Sequence, residues 1–168
     1  VLMWGWGVMN QVAVQEASTI GFPMENFIGN WWAGAEHDVT PAGAAANGYK
    51  SLNMNRIGDL PVFADIKKHV HDAGNASGDG SNMGGVLYTR GMYAAMLAAE
   101  AIANAQKIHG VADVTPAMVR DGMSALAITN ARMEELGMAG VGPEFSVSCQ
   151  NHGGSGLGSV QQWGASAA

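Results

Sequence analysis

The first part of the chain alternates short apolar runs with a segment of helical spacing. Residues 1–6 form an apolar run that indicates a buried strand. Residues 8–20 repeat apolar side chains at the spacing of one helix face, which predicts a helix ended by a glycine and a proline. Residues 27–33 then form a second run that is typical of a strand.

The alternation continues with a small-residue helix predicted over residues 41–46 and a third strand over residues 48–54. Helices this short suit the crossovers of a parallel sheet. We therefore predict an α/β fold that begins with a βαβαβ unit over residues 1–57.

Residues 58–144 are predicted to be mainly helical. Apolar spacing over residues 61–70 and 84–107 predicts two helices, separated by a Gly- and Ser-rich linker. Thr115 as an N-cap and Pro116 at the first helical position predict another helix further along.

Residues 145–168 are predicted to form a C-terminal β-hairpin and a tail. Alternation over residues 145–149 and 158–163 indicates two strands, and a Gly-rich loop lies between them. The loop lacks the lysine and the following helix of a phosphate-binding loop, so it predicts no phosphate site.

The composition of the chain argues against several classes of function. The 168 residues carry a net charge of −6 and only eight Lys and Arg, which argues against a nucleic-acid partner. No apolar run reaches the roughly 18 residues that a membrane span requires. The single cysteine, Cys149, allows no internal disulfide, and no spacing of histidines predicts a metal site. We expect no metal and no cofactor.

The chain opens on an apolar run at Val1, without the charged and apolar regions of a signal peptide. We expect a preceding segment, including any signal peptide, to be missing from this sequence.

The positions of the tryptophans point most clearly to a possible ligand site. Four of the five fall within the first 32 positions: Trp4 and Trp6 end the first predicted strand, and Trp31 and Trp32 end the second. The carboxyl ends of parallel strands meet at one edge of a sheet, where ligands bind. The free N–H groups of the helix at residues 8–20 would attract a ligand carboxylate there.

Glu36 lies just past the second strand and could pair with an ammonium group. Aromatic rings beside a carboxylate suit an amino-bearing small molecule, through cation–π contact and charge pairing. The alternative is that one ring of each pair belongs to the core and the other covers the sheet edge.

Several segments, taken in order, resemble the second lobe of branched-chain amino-acid type periplasmic solute-binding proteins of ABC transporters. They are residues 2–11, 17–22, 27–29, 41–43, 48–49, 88–95 and 160–163. The resemblance implies part of a type I two-lobe clamshell, in which residues 58–144 partly return to the first lobe. It also implies an extracytoplasmic, non-catalytic protein that passes an amino acid, amide or small carboxylate to a membrane permease.

Within that resemblance, Trp6 matches a ligand-contacting position in the turn after a strand. The position near Trp31 and Trp32 is often acidic in the family and contacts the ligand ammonium, whereas here it is aromatic. Glu36 could replace that acid, or the ligand could lack an ammonium. The first lobe, which usually grips the carboxylate, is expected to be mostly missing from this sequence.

Two other functions remain open at this point. The same fold serves as a ligand-sensing domain in receptors and regulators. A small α/β enzyme would need acid–base groups at the strand ends, and Glu36, His37 and Asp38 are the candidates, although a solvated turn accounts for them equally well.

Overall fold

The computed structural model describes residues 1–164 of the chain. The last four residues of the predicted tail, 165–168, lie outside the described residues. The strands are β1 Leu2–Met3, β2 Ile28–Gly29, β3 Lys50–Asn53, β4 Ala127–Ile128, β5 Phe145–Ser146 and β6 Ser159–Gln162. The α-helices are α1 Val8–Thr19, α2 Glu36–Val39, α3 Pro61–Ile66, α4 Val86–His109, α5 Pro116–Ser124 and α6 Asn130–Glu135. Met24–Asn26 and Thr40–Ala46 are 3-10 helices, and Lys67–His71 is a π-helical turn.

The described chain forms two compact units. Unit 1 comprises Val1–Met54, Gly85–Leu87 and residues 158–164, and unit 2 comprises Asn55–Gly84 and Tyr88–Leu157. All five tryptophans belong to unit 1. Tryptophan fluorescence therefore reports on unit 1 alone.

The sheet of unit 1 has the order β1-β2-β3-β6. The first two pairings are parallel, and α1 forms the crossover between β1 and β2. This confirms the predicted α/β fold and its opening βαβαβ order. Helix α1 buries Val14 in a core that includes Phe27, Val39 and Tyr49, so burial on one face accounts for its helical spacing.

The second predicted strand is shorter than residues 27–33. It ends at Gly29 because the next residues form a turn, in which the Trp32 N–H donates to the Asn30 side-chain oxygen at 3.1 Å. The predicted helix over 41–46 is present as 3-10 structure directly after α2, and Gly43 interrupts it with a φ of 59°.

Unit 2 is built around α4. Met96 of α4 packs in a core with Leu126, Ile128 and Met133. The expected N-cap is present, because the Thr115 hydroxyl accepts a hydrogen bond from the Met118 N–H at 3.4 Å.

The predicted C-terminal hairpin is wrong. Strand β5 pairs antiparallel with β4, with Phe145 opposite Ile128, and β6 pairs antiparallel with β3, with Gln161 opposite Ser51. Both segments are strands, as their alternation indicates, but each finds its partner elsewhere in the chain. Alternation sets which face of a strand is buried; it does not name the neighbouring strand.

Tyr49 lies directly over Gly29. The fully buried ring stands edge-to-face against Phe27, with 5.3 Å between centroids, and its hydroxyl donates to the Ala33 carbonyl oxygen at 2.8 Å. A Cβ at Gly29 would overlap the Tyr49 hydroxyl and lie 2.6 Å from the Ala33 Cβ. Only glycine fits at this close approach.

Gly29→Ala should therefore destabilise unit 1 by about 3 kcal/mol, the upper end for overpacking a buried site. Urea unfolding followed by tryptophan fluorescence measures this loss. Gly164→Ala is the matched control, because a Cβ there meets nothing within 4 Å, and it should change stability by less than about 0.5 kcal/mol. Equal stability of the two variants would contradict the close packing of Gly29.

Burial raises the pKa of Tyr49 from 10.0 to about 12. The unfolded chain loses this proton near pH 10 while the folded chain keeps it, so the stabilisation is full below pH 10 and is lost as the pH rises through 12. Tyr49→Phe should remove about 2–3 kcal/mol of that alkaline loss and cost about 1 kcal/mol at neutral pH, where the Ala33 carbonyl loses its donor. Urea unfolding at a series of pH values tests both effects. An identical pH dependence in the two proteins would contradict the assignment.

Candidate functional site

Two turns at the carboxyl ends of neighbouring parallel strands carry three tryptophans. Trp6 follows β1, and Trp31 and Trp32 follow β2. The Trp6 and Trp32 rings meet at a centroid distance of 5.5 Å and an interplanar angle of 64°. The Trp31 and Trp32 rings meet at 5.0 Å and 87°. We call Trp6, Trp31 and Trp32 the tryptophan set.

The tryptophan set is only partly covered. Trp6 is 58 % exposed and Trp32 is 43 % exposed, while Trp31 is half-buried. Trp4 is 78 % exposed and, among the described residues, stacks on no other ring. Three of the four rings that the sequence places at this edge thus come together, and two of them present much of their surface to solvent.

Beneath the tryptophan set lies a buried polar group that the sequence reading missed. Asn10, in the first turn of α1, is fully buried. Its side-chain nitrogen donates to the Trp32 carbonyl oxygen at 3.2 Å and to Asp38 Oδ2 at 3.1 Å. The available signal was its spacing: Asn10 lies four residues before Val14 and so shares the buried face of the helix.

Asp38 supplies a carboxylate at the start of α1. Its Oδ2 accepts the Gly7 N–H at 2.8 Å, and its Oδ1 lies 3.2 Å from His37 Nε2. Its side chain is only 11 % exposed, whereas that of His37 is 62 % exposed. A carboxylate of the chain itself thus accepts the N–H of Gly7, the residue just before α1.

Glu36 is also engaged within unit 1. Both of its carboxylate oxygens accept from the Val86 N–H, at 3.1 and 3.0 Å, so Glu36 caps the first turn of α4. A carboxylate has lone pairs for further donors, and the predicted contact of Glu36 with a ligand stays a prediction.

The charges of unit 1 are separated along its strands. Glu36 and Asp38 follow the carboxyl end of β2, on the side of the tryptophan set. The Lys50 ammonium, at the start of β3, donates to the Glu25 carbonyl oxygen at 3.0 Å, before β2 begins. The edge that carries the tryptophans is therefore aromatic and acidic.

Residues 1–164 contain neither a metal-binding cluster nor a membrane-spanning helix. No group of three or more His, Cys, Asp or Glu side chains is arranged to hold a metal ion there. None of the described helices combines the length and the apolar character needed to cross a membrane.

The cap on α4 predicts a measurable effect at Glu36. Glu36→Gln keeps an acceptor oxygen but removes the charge, which should cost about 0.5–1 kcal/mol and speed hydrogen exchange at the Val86 amide. Glu16→Gln, on the exposed surface of α1, is the control and should leave both values unchanged. Unchanged exchange at Val86 in the Glu36 variant would show that the carboxylate does not cap the helix.

No protein-family model matches the chain, and neither does any curated protein sequence. Three crystal structures are similar. One, described as an ABC transporter permease from the Pseudomonas fluorescens group, is 37 % identical over 99 % of this chain, with a TM-score of 0.90. A branched-chain amino-acid ABC transporter from Thermus thermophilus with bound valine is 20 % identical over 96 % of this chain, with a TM-score of 0.70.

The third structure, a type 1 periplasmic binding protein from Bordetella pertussis Tohama I, is 16 % identical over 99 % of this chain, with a TM-score of 0.63. The chain spans 40 %, 42 % and 43 % of the three similar chains, respectively. Over that stretch it has the α/β fold of type I periplasmic binding proteins.

Proposed function

We propose that the chain is part of the extracytoplasmic substrate-binding component of an ABC importer, which captures an amino acid or a related small polar molecule between two lobes. The observation that carries this proposal is the tryptophan set. Its rings lie together and partly exposed at the carboxyl ends of parallel strands, the edge at which open α/β sheets bind ligands.

The chemistry of this edge favours a ligand with an amino group. Indole faces attract cations and offer large apolar area, and the strand ends on that side carry two carboxylates and no Lys or Arg within unit 1. The tryptophans stand where a plain leucine-type site often has an acid. We infer that the ligand departs from a plain branched-chain amino acid.

The likeness to known folds supports the same function. A neighbour of the same fold is a branched-chain amino-acid ABC transporter that holds valine. In the proposed function, two lobes close on the ligand and the protein delivers it to a membrane permease, with unit 1 as one wall of the binding site. The opposite wall would come from the other lobe of the same protein.

The carboxylates fit binding better than catalysis. Asp38 and Glu36 each accept backbone N–H groups, which ties them to the turns and helix ends they hold. An acid–base pair would need a free carboxyl or imidazole close to the reacting atoms. His37 meets Asp38 from the solvent side and is mostly exposed.

The test is a thermal-shift and calorimetric screen of the whole protein against amino acids, amides and small carboxylates. A true ligand should raise the melting temperature as its concentration passes the Kd. Trp6→Ala and Trp32→Ala should each weaken binding by about 2- to 30-fold, the range for one cation–π contact. Trp4→Ala, outside the tryptophan set, is the matched control and should bind normally.

The outcomes separate the alternatives. Equal losses in all three tryptophan variants, or normal binding in all of them, would place the ligand elsewhere. Conversion of the ligand to a product would overturn the non-catalytic function. If Glu36 contacts an ammonium, Glu36→Gln should weaken amine ligands more than their uncharged analogues.

A further inference from the structure

We propose that Asn10 and Asp38 are positioning residues that hold Trp6 and Trp32 together; as a role in ligand binding, this rests on the function proposed above. The two turns that carry these rings come from separate strands. Between them lie the Asn10 amide and the Asp38 carboxylate, joined to each other at 3.1 Å. We call this pair the Asn10–Asp38 clamp.

The clamp holds the backbone at both rings. On one side, Asp38 Oδ2 accepts the N–H of Gly7, the residue after Trp6. On the other side, the Asn10 side-chain nitrogen donates to the carbonyl of Trp32 itself. A shift of either turn away from the other would break one of these bonds in a site where water does not reach Asn10.

Apolar burial alone cannot fix these rings. Trp6 and Trp32 are 58 % and 43 % exposed, so much of each ring gains nothing from the core. Gly7, with φ 59° and ψ −141°, takes a backbone conformation that other residues rarely adopt, and a hydrogen bond to Asp38 holds it there. Directed polar contacts therefore determine where the rings stand.

A polar side chain such as Asn10 is less stabilising at this buried position than an apolar one would be. Its Oδ1 is buried and has no hydrogen-bond partner, which costs about 1–3 kcal/mol that an apolar residue would avoid. Gly5 leaves room for this oxygen, because a Cβ there would lie 2.8 Å from it. The amide nitrogen makes two hydrogen bonds, to Trp32 and to Asp38, that an apolar residue could not make.

The readout is the exciton couplet of the indole rings in the far-ultraviolet circular dichroism of the ligand-free protein. Trp6→Phe removes the Trp6–Trp32 part of the couplet and sets the reference amplitude. Asp38→Ala and Asn10→Ala, which remove the acceptor oxygen and the donor nitrogen of the clamp, should each lower the couplet to about that reference. In the Trp6→Phe background, Asp38→Ala should produce no further loss, because its effect acts through Trp6.

Two controls isolate positioning from stability. Val14→Ala opens a cavity in the same core without touching the clamp, so it should lower the melting temperature and keep the couplet. Asn47→Ala, at an exposed site of unit 1, should change neither. All spectra are taken at a temperature where every variant is folded.

A wild-type couplet in both Asp38→Ala and Asn10→Ala would overturn the proposal. If neither variant folds, hydrogen exchange at the Gly7 amide of the wild-type protein decides. Protection comparable to that of the α1 interior supports the clamp, and free exchange refutes it.

The couplet is measured without ligand. The clamp and the proposed binding function can therefore be refuted independently of each other. A lowered couplet in a protein that binds nothing supports the clamp and refutes the function. Wild-type couplets in both clamp variants of a protein that binds its ligand would refute the clamp and support the function. If both hold, the affinity lost in Asp38→Ala should match that lost in Trp6→Phe.

Discussion

The close approach of Tyr49 to Gly29 is the contact on which unit 1 depends. A full-sized phenol can lie over β2 only because Gly29 has no side chain, and its hydroxyl then reaches the Ala33 carbonyl at 2.8 Å. That bond ties the end of the turn that carries Trp31 and Trp32 to Tyr49, the residue just before β3. Core packing and the geometry of the candidate site are thus linked through one side chain.

Outside this core, hydrogen bonds from polar side chains hold the turns of unit 1 in place. Asn10 and Asp38 join the turn after β1 to the turn after β2, and Glu36 caps α4. Glu36 and Asp38 lie in the segment that follows β2, and Asn10 lies in α1. Unit 1 therefore holds its backbone with part-buried hydrogen bonds in the region where its aromatic surface is exposed.

Much of the fold was readable from local patterns. The helices α1, α4 and α5 lie where apolar spacing and the Thr115–Pro116 pair place them, because burial of one face and capping are local properties. The predicted hairpin is wrong because strand pairing is not a local property: β6 pairs with β3 at the edge of the sheet, and β5 pairs with β4. The second strand stops early because the Asn30 side chain turns the chain, a competition that alternation alone does not show.

For the site, the position of the tryptophans after two parallel strands can be predicted from the sequence, since strand order and direction bring those ends to one edge. The sequence also places Glu36 just past the second predicted strand, where it could pair with an ammonium group. Tertiary packing determines which rings touch, leaves Trp4 apart from them, and brings the carboxylates of Glu36 and Asp38 to backbone N–H groups. It alone revealed Asn10, because a buried amide is identified by the partners it meets, and those partners are 22 and 28 residues away in the chain.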